Sequence, residues 1–194
     1  KRFFFILISA SLSVFAFYRC EFLIFLGLTP FLFVVFRADS CKKRFISGYL
    51  WGLVYFTGLC YWLIHISLLG VIILIMYLAF YPAVFAVLCR VKSKRVNIYY
   101  ISGLWITLEF LRSFLFTGFP WGYLGYALFK KTSLIQIADI AGAYGVSFII
   151  MLANCAAVYV FTKNSFRKKV LNMFVLTLIL ISAFIYLSLI HISE

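Results

Sequence analysis

Glu109 and Arg112 are the residues of this chain best suited to chemistry, an acid and a base inside an otherwise apolar run. Three residues apart on a helix, they share one face, and Trp105, four residues before Glu109, joins the same stripe. A carboxylate in the middle of a membrane helix costs about 2.5–3.5 kcal/mol on insertion scales, so it should face protein or a water-filled cavity. Two readings of the pair stand side by side. It locks its helix against neighbouring helices, or it forms a polar site for a lipid headgroup, Arg being well matched to a phosphate oxygen. Pro120 then removes a backbone donor and fixes φ, which ends any helix before it. Gly118, Gly122 and Gly125 are interleaved there with Phe119, Trp121, Tyr123, Tyr126 and Phe129. Irregular backbone cannot face lipid, so this segment must be covered by protein or lie at the surface. It is either structural support of the aromatic-belt kind or the wall of an acyl-chain groove.

Other polar residues carry less. His65 ends an apolar run beside Tyr61 and Trp62 and reads as an interfacial anchor, with proton transfer as the alternative. Asp139 opens a helix, where a carboxylate suits the helix dipole. The five cysteines (20, 41, 60, 89 and 155) show no CxxC and no Cys/His pairing, so neither a disulfide framework nor a zinc site is indicated. No GxSxG, HExxH, P-loop or Rossmann fingerprint is present. The residues form no complete catalytic constellation, suggest no metal site and imply no cofactor.

The elements that must position these residues follow from composition. Hydrophobic residues make up 66% of the 194, aromatics 21% and charged residues 12%, with a mean hydropathy of +1.11. A soluble domain needs far more polar surface. The expectation is an all-α, polytopic membrane bundle of about seven transmembrane helices. The net charge of +13 falls in short clusters between apolar runs rather than on a basic face, which argues against a nucleic-acid partner.

In chain order, Phe3 to Tyr18 and Phe22 to Phe36 would span roughly 50 Å as one helix, too long for a core of about 30 Å. They therefore read as a hairpin of two short spans. Further spans are expected at about Phe45 to Ile66, Leu68 to Cys89, Val96 to Phe116, Ala138 to Phe161 and Val170 to Ile190, with the Gly/aromatic segment after the fifth. Loops 37–44, 90–95 and 163–169 each hold four Lys or Arg, and Lys1 and Arg2 bring that side to fourteen. The opposite side holds three: Arg19, Lys130 and Lys131. The positive-inside rule then puts the N-terminus in the cytoplasm and the Gly/aromatic segment outside. At the start of the sixth span, Ala138/Gly142 and Ala141/Gly145 are small-xxx-small pairs, expected to form a helix-packing face. No internal repeat of broken helices appears, against a secondary transporter.

Glu109-Phe110-Leu111-Arg112, followed by Thr117-Gly118-Phe119-Pro120-Trp121 and then Gly125-Tyr126, resembles the membrane part of apolipoprotein N-acyltransferases. Tyr61-Trp62 and the Gly142 to Gly145 region support the likeness, and Ala127-Leu128 departs from it where family members often carry a polar pair. The resemblance implies a bacterial inner-membrane enzyme moving an acyl chain from a phospholipid donor to the N-terminal amine of a diacylglyceryl-modified lipoprotein. It also implies that the catalytic cysteine, glutamate and lysine belong to a nitrilase-like domain beyond the seventh span. On that expectation residues 1–190 are the transmembrane domain, with no catalytic residue of their own, and 187–194 form a non-native tail on a chain incomplete at both ends. The alternative is a catalytically empty membrane lipid carrier or scaffold, decided by whether a nitrilase-like stretch follows residue 194.

Overall fold

The computed structural model describes residues 1–89, 97–116, 118–131, 135 and 138–160. All of its regular elements are helical. Helix α1 spans Arg2–Tyr18. The returning arm is a 3-10 turn at Glu21–Leu23, then α2 at Ile24–Gly27 and α3 at Thr29–Phe36. Helix α4 covers Cys41–Cys60 and runs into a 3-10 turn at Tyr61–His65. Helices α5 (Leu68–Leu78) and α6 (Phe80–Leu88) form one bent segment. Helix α7 is Ile98–Phe114, a 3-10 turn covers Leu124–Leu128, and α8 is Ala138–Val160. The predicted loops 90–95 and 163–169, the seventh span at 170–190 and the tail at 187–194 lie outside the described residues.

Successive segments alternate in direction, as side-chain pairs show. Arg2 meets Asp39, the Phe5 ring meets Phe33 and Ser9 reaches Gly27, so α1 and the returning arm are antiparallel. Phe85 packs on Trp105 while Tyr77 reaches the carbonyl of Leu115, which sets α7 antiparallel to α5 and α6. One end of the bundle therefore gathers Arg2, Asp39 and Lys43. The other gathers Tyr18, Tyr61, Trp121 and Lys130. Segments Leu68–Leu88 and Ala141–Tyr159 are long and apolar enough to cross a membrane by length and composition. Large apolar side chains such as Leu69, Ile73 and Phe114 face outward, the kind of surface that lipid covers.

The helix breaks are where the sequence departs from simple spans. Pro30 lies in the first turn of α3, where its missing N–H is harmless. The preceding break is repaired from far away in the chain. Leu28 N–H donates to Asn154 Oδ1 at 2.9 Å, and Asn154 Nδ2 donates to the Ile24 carbonyl at 2.8 Å. The carboxamide thus replaces the Leu28-to-Ile24 hydrogen bond that a continuous helix would have made. Ser9 Oγ donates to the Gly27 carbonyl at 2.6 Å and accepts from Trp51 Nε1 at 3.1 Å. The predicted fourth span bends at Ala79, three residues before Pro82, whose ring cannot continue the helical ladder. Gly48 and Gly52 of α4 accept this bend. A Cβ at Gly52 would lie 2.6 Å from Pro82 Cγ and 2.8 Å from Ala79 Cα.

Gly142, one of the small residues expected to pack at the start of α8, behaves differently from expectation. Gly142 has φ 63° and ψ −170° inside the helix, and a Cβ there would meet nothing within 4 Å. It breaks the helix instead of packing it. The close approach belongs to Gly125, whose added Cβ would lie 2.7 Å from the Ala143 carbonyl oxygen and 3.1 Å from Val146 Cβ.

Substituting Asn154 by Leu removes both partners of the broken arm. It is expected to cost about 2–3 kcal/mol, the penalty for orphaning a buried N–H and a buried C=O. Thermal unfolding of the purified protein in detergent reads this out, and an unchanged midpoint would refute the repair role.

Candidate functional site

Helix α7 begins with Asn97, whose side chain accepts from the N–H groups of Tyr99 (3.1 Å) and Tyr100 (3.2 Å). Its inner face carries Ser102, Trp105, Glu109 and Arg112, all buried. Trp105 is held from two sides of the core. Its ring centroid lies 4.8 Å from that of Phe85 and 5.8 Å from that of Trp51, both edge-on. Trp51 in turn stacks on Tyr55 at 4.6 Å. The rings fix the direction of the indole N–H, which donates to Glu109 Oε1 at 2.9 Å.

The second donor to that oxygen comes from the irregular segment. Helix α7 unwinds at Leu115, and Phe116 has φ 59°. Phe119 N–H then returns to the Arg112 carbonyl at 2.9 Å. Gly118 has φ 70° and lies so close to the Ser113 carbonyl that any Cβ would collide with it; only glycine fits both conditions. The chain, now reversed, runs beneath α7 and brings Leu124 N–H to Glu109 Oε1 at 3.0 Å. Gly125 N–H donates to Ser147 Oγ at 2.9 Å, and Tyr55 Oη donates to the Gly122 carbonyl at 3.1 Å. Three side chains from α7, α8 and α4 thereby hold this stretch of non-helical backbone.

Arg112 lies beside Glu109 without pairing to it. The two ion pairs among the described residues are Arg2–Asp39 and Lys43–Asp39. The guanidinium instead sits over the rings of Phe56 and Tyr123, 5.0 and 5.1 Å from their centroids, an arrangement that stabilises a desolvated cation. Next to it runs a hydroxyl chain: Tyr123 and Tyr144 approach at 3.4 Å, Tyr144 donates to Ser113 at 3.1 Å, and Ser113 donates to the Phe110 carbonyl at 2.6 Å.

Above the tether, at the end of the bundle away from Arg2 and Lys43, lies a cavity of about 480 Å³. Its walls include Tyr18, Tyr61, Trp62, Trp121, Tyr126 and Lys130. Trp62 and Trp121 meet edge-on at 5.9 Å, and the Tyr18 and Tyr61 rings lie 6.4 Å apart, tilted at 58°. Lys130 is the one cation among its lining residues, and Lys130 Nζ reaches the Tyr18 carbonyl at 3.5 Å.

The structure thus gathers Trp105, Glu109, Arg112 and Gly125 into the buried tether. It puts Trp121 and Tyr126 in the cavity wall. Gly118, Phe119 and Pro120 make the turn between the two and do not line the cavity; Phe119 packs on the core, and Pro120 is exposed. Sequence reasoning missed Ser147, Tyr144 and Asn154. A lone amide in the apolar run around Asn154 was the available signal for the last.

A helical bundle with an apolar exterior, and with an irregular aromatic segment tied down at one end, is an integral-membrane domain in class. Residues 9–156 match the apolipoprotein N-acyltransferase N-terminal domain, and the chain belongs to that family. It is 42% identical over 145 residues to the apolipoprotein N-acyltransferase of Geobacter metallireducens, covering 68% of this chain and 28% of that protein. The Pasteurella multocida enzyme is 31% identical over 186 residues, 87% of this chain and 34% of its own length. That of Rickettsia typhi is 34% identical over 147 residues, 71% of this chain and 29% of its own. The chain spans about a third of the length of these relatives.

The tether separates two substitutions of one residue. Glu109→Gln keeps an oxygen for Trp105 and Leu124 and is expected to leave the segment 118–129 protected from protease. Glu109→Ala orphans both donors, is expected to cost about 2–3 kcal/mol, and should make that segment the first to be cut. Equal protection in the two variants would show that the carboxylate does not hold the segment.

Proposed function

We propose that this chain is the membrane domain of an enzyme that transfers an acyl chain from a phospholipid to the N-terminal amine of diacylglyceryl-cysteine lipoproteins. The observation that carries this reading beyond family membership is the aromatic cavity with Lys130 at its lip. Rings with few polar demands suit a flexible acyl chain, and one ammonium suits the phosphate at its end. The relatives' names state the acyltransferase activity of those proteins. The acyl transfer itself is assigned to the remainder of the family's length, in a nitrilase-like domain, so that residues 1–194 supply anchoring and lipid access but no catalytic residue.

In this reading the domain has seven spans in a bacterial inner membrane, with its N-terminus in the cytoplasm. The clustering of Arg2, Arg37, Lys43 and Arg44 at one end of the bundle, opposite Trp121 and Lys130, supports that orientation. Glu109 and Arg112 hold the floor of the cavity in place, while Trp121 and Tyr126 touch lipid.

Three outcomes are expected. Purified 1–194 should not acylate a diacylglyceryl lipopeptide, and detectable transfer would refute the division of labour. In vesicles containing a phospholipid with a photoreactive acyl chain, labelling should concentrate on Tyr18, Trp62, Trp121 and Tyr126. It should drop several-fold in Tyr126→Arg, and labelling confined to the outward faces of α1 and α5 would count against the cavity. Exposed Cys41, at the Lys43 end, should react with a membrane-impermeant maleimide in inverted vesicles and not in intact cells. The reverse pattern would overturn the orientation.

A further inference from the structure

The pair Glu109 and Arg112 retains polar atoms that the protein does not satisfy. Glu109 Oε2, Arg112 Nε and Arg112 Nη2 are buried without a hydrogen bond of ordinary geometry, and among the described residues the Ser147 hydroxyl is the one further protein group close enough to act on the Glu109 carboxylate. The residues themselves are 5% and 4% exposed. Both line a cavity of about 20 Å³ whose other walls are Tyr81, Phe85, Trp105 and Leu108. An unpartnered buried charge is costly enough that proteins pair it, solvate it or neutralise it. Here carboxylate and guanidinium lie near each other but outside ion-pair distance, since the ion pairs of the described residues are those of Asp39.

Size and donor pattern select the occupant. A single water needs about 10–15 Å³ of such space, so one water fits and a phosphate or a lipid headgroup does not. Two N–H donors and one carboxylate acceptor match a water that accepts from the guanidinium and donates to Oε2. Tyr81, whose hydroxyl shares a hydrogen bond with that of Tyr77, keeps acceptor capacity and can serve as a further partner in the same cavity.

We propose that this cavity is a binding site for one ordered water that bridges Arg112 to Glu109. The bridge fixes the rotation of the carboxylate whose other oxygen holds Trp105 and Leu124. Arg112 is thereby a positioning residue for the turn at Leu124–Leu128, acting through water and Glu109. The inference rests on the packing around Glu109 and holds whether or not the protein transfers acyl chains.

The first test is a density map of the full chain in lipid nanodiscs, at a resolution that shows ordered waters. One peak is expected within about 2.6–3.2 Å of Glu109 Oε2, Arg112 Nε and Arg112 Nη2. A cavity without density, or a direct Arg112–Glu109 contact closing it, overturns the proposal. The second is infrared spectroscopy of wild type and Arg112→Met in ordinary and heavy-oxygen water. An O–H stretch that shifts with the oxygen isotope should be present in wild type and lost in the variant; identical isotope-sensitive bands in both refute the site. Should Arg112→Met fail to fold, Arg112→Lys keeps the charge but not the two-donor fork, and its band is expected to move in frequency.

Discussion

The carboxylate of Glu109 is the constraint on which this end of the bundle depends. A charge taken out of water must be returned its hydrogen bonds by the protein. Oε1 receives two, from the Trp105 indole and the Leu124 amide. Neither donor arrives independently. Trp105 is delivered by four-residue helical spacing and aimed by Trp51 and Phe85. Leu124 is delivered by a chain reversal that needs Gly118 at positive φ and the return of Phe119 to the Arg112 carbonyl. The last turn of α7, the reversal and the Leu124–Leu128 turn are therefore one cooperative object. Arg112, over the rings of Phe56 and Tyr123, extends that object to α4.

The same logic recurs wherever a helix breaks. In an apolar surround no water waits to take up freed backbone groups, so another helix must supply the partner. Asn154 of α8 does this for Leu28 and Ile24, Ser9 of α1 for Gly27, Ser147 of α8 for Gly125 and Tyr55 of α4 for Gly122. Each is a single polar side chain spent on one backbone defect. Together they fasten α1, α4 and α8 to the returning arm and to the irregular segment at specific registers, a specificity that apolar packing alone supplies poorly where lipid is as apolar as leucine.

How much of this was legible in the sequence follows from range. The all-helical fold, the hairpin at residues 19–20, the stripe of Trp105 and Glu109 and the irregular segment after Phe116 all rest on local pattern, and local pattern survives in a sequence. The Leu124 N–H left no trace, because backbone atoms have no residue type. Asn154 repairs a break 130 residues away, a relation that no spacing rule contains. Arg112 shares the face of Glu109, as its three-residue spacing required, yet its guanidinium turns to rings contributed by α4 and by the reversed segment. Gly142 illustrates the limit from the other side. The small-xxx-small pattern is the same for a glycine that admits a neighbour and for one that adopts φ 63°, and only coordinates distinguish them. Gly48 and Gly52 carried that pattern where it did mean close approach.

Rigidity below and adaptability above then divide the bundle into two kinds of surface. The tether is built from charge, amide and indole groups with defined directions, so a displacement of one leaves a partner exposed. The cavity above it is built from rings, whose dispersion contacts are many, weak and undirected. On the proposed reading, a guest can part Trp62 from Trp121 without orphaning a buried polar group, since both side chains are already partly exposed, whereas Tyr18 is also held by its hydroxyl's hydrogen bond to the Gly58 carbonyl at 3.0 Å. Tyr126 joins the two regimes: its ring lines the cavity, while its own turn begins at the Leu124 amide held by Glu109. On the proposed reading, a lipid-handling mouth needs walls that yield and a floor that does not. The buried acid supplies that floor because hydrocarbon penalises its release.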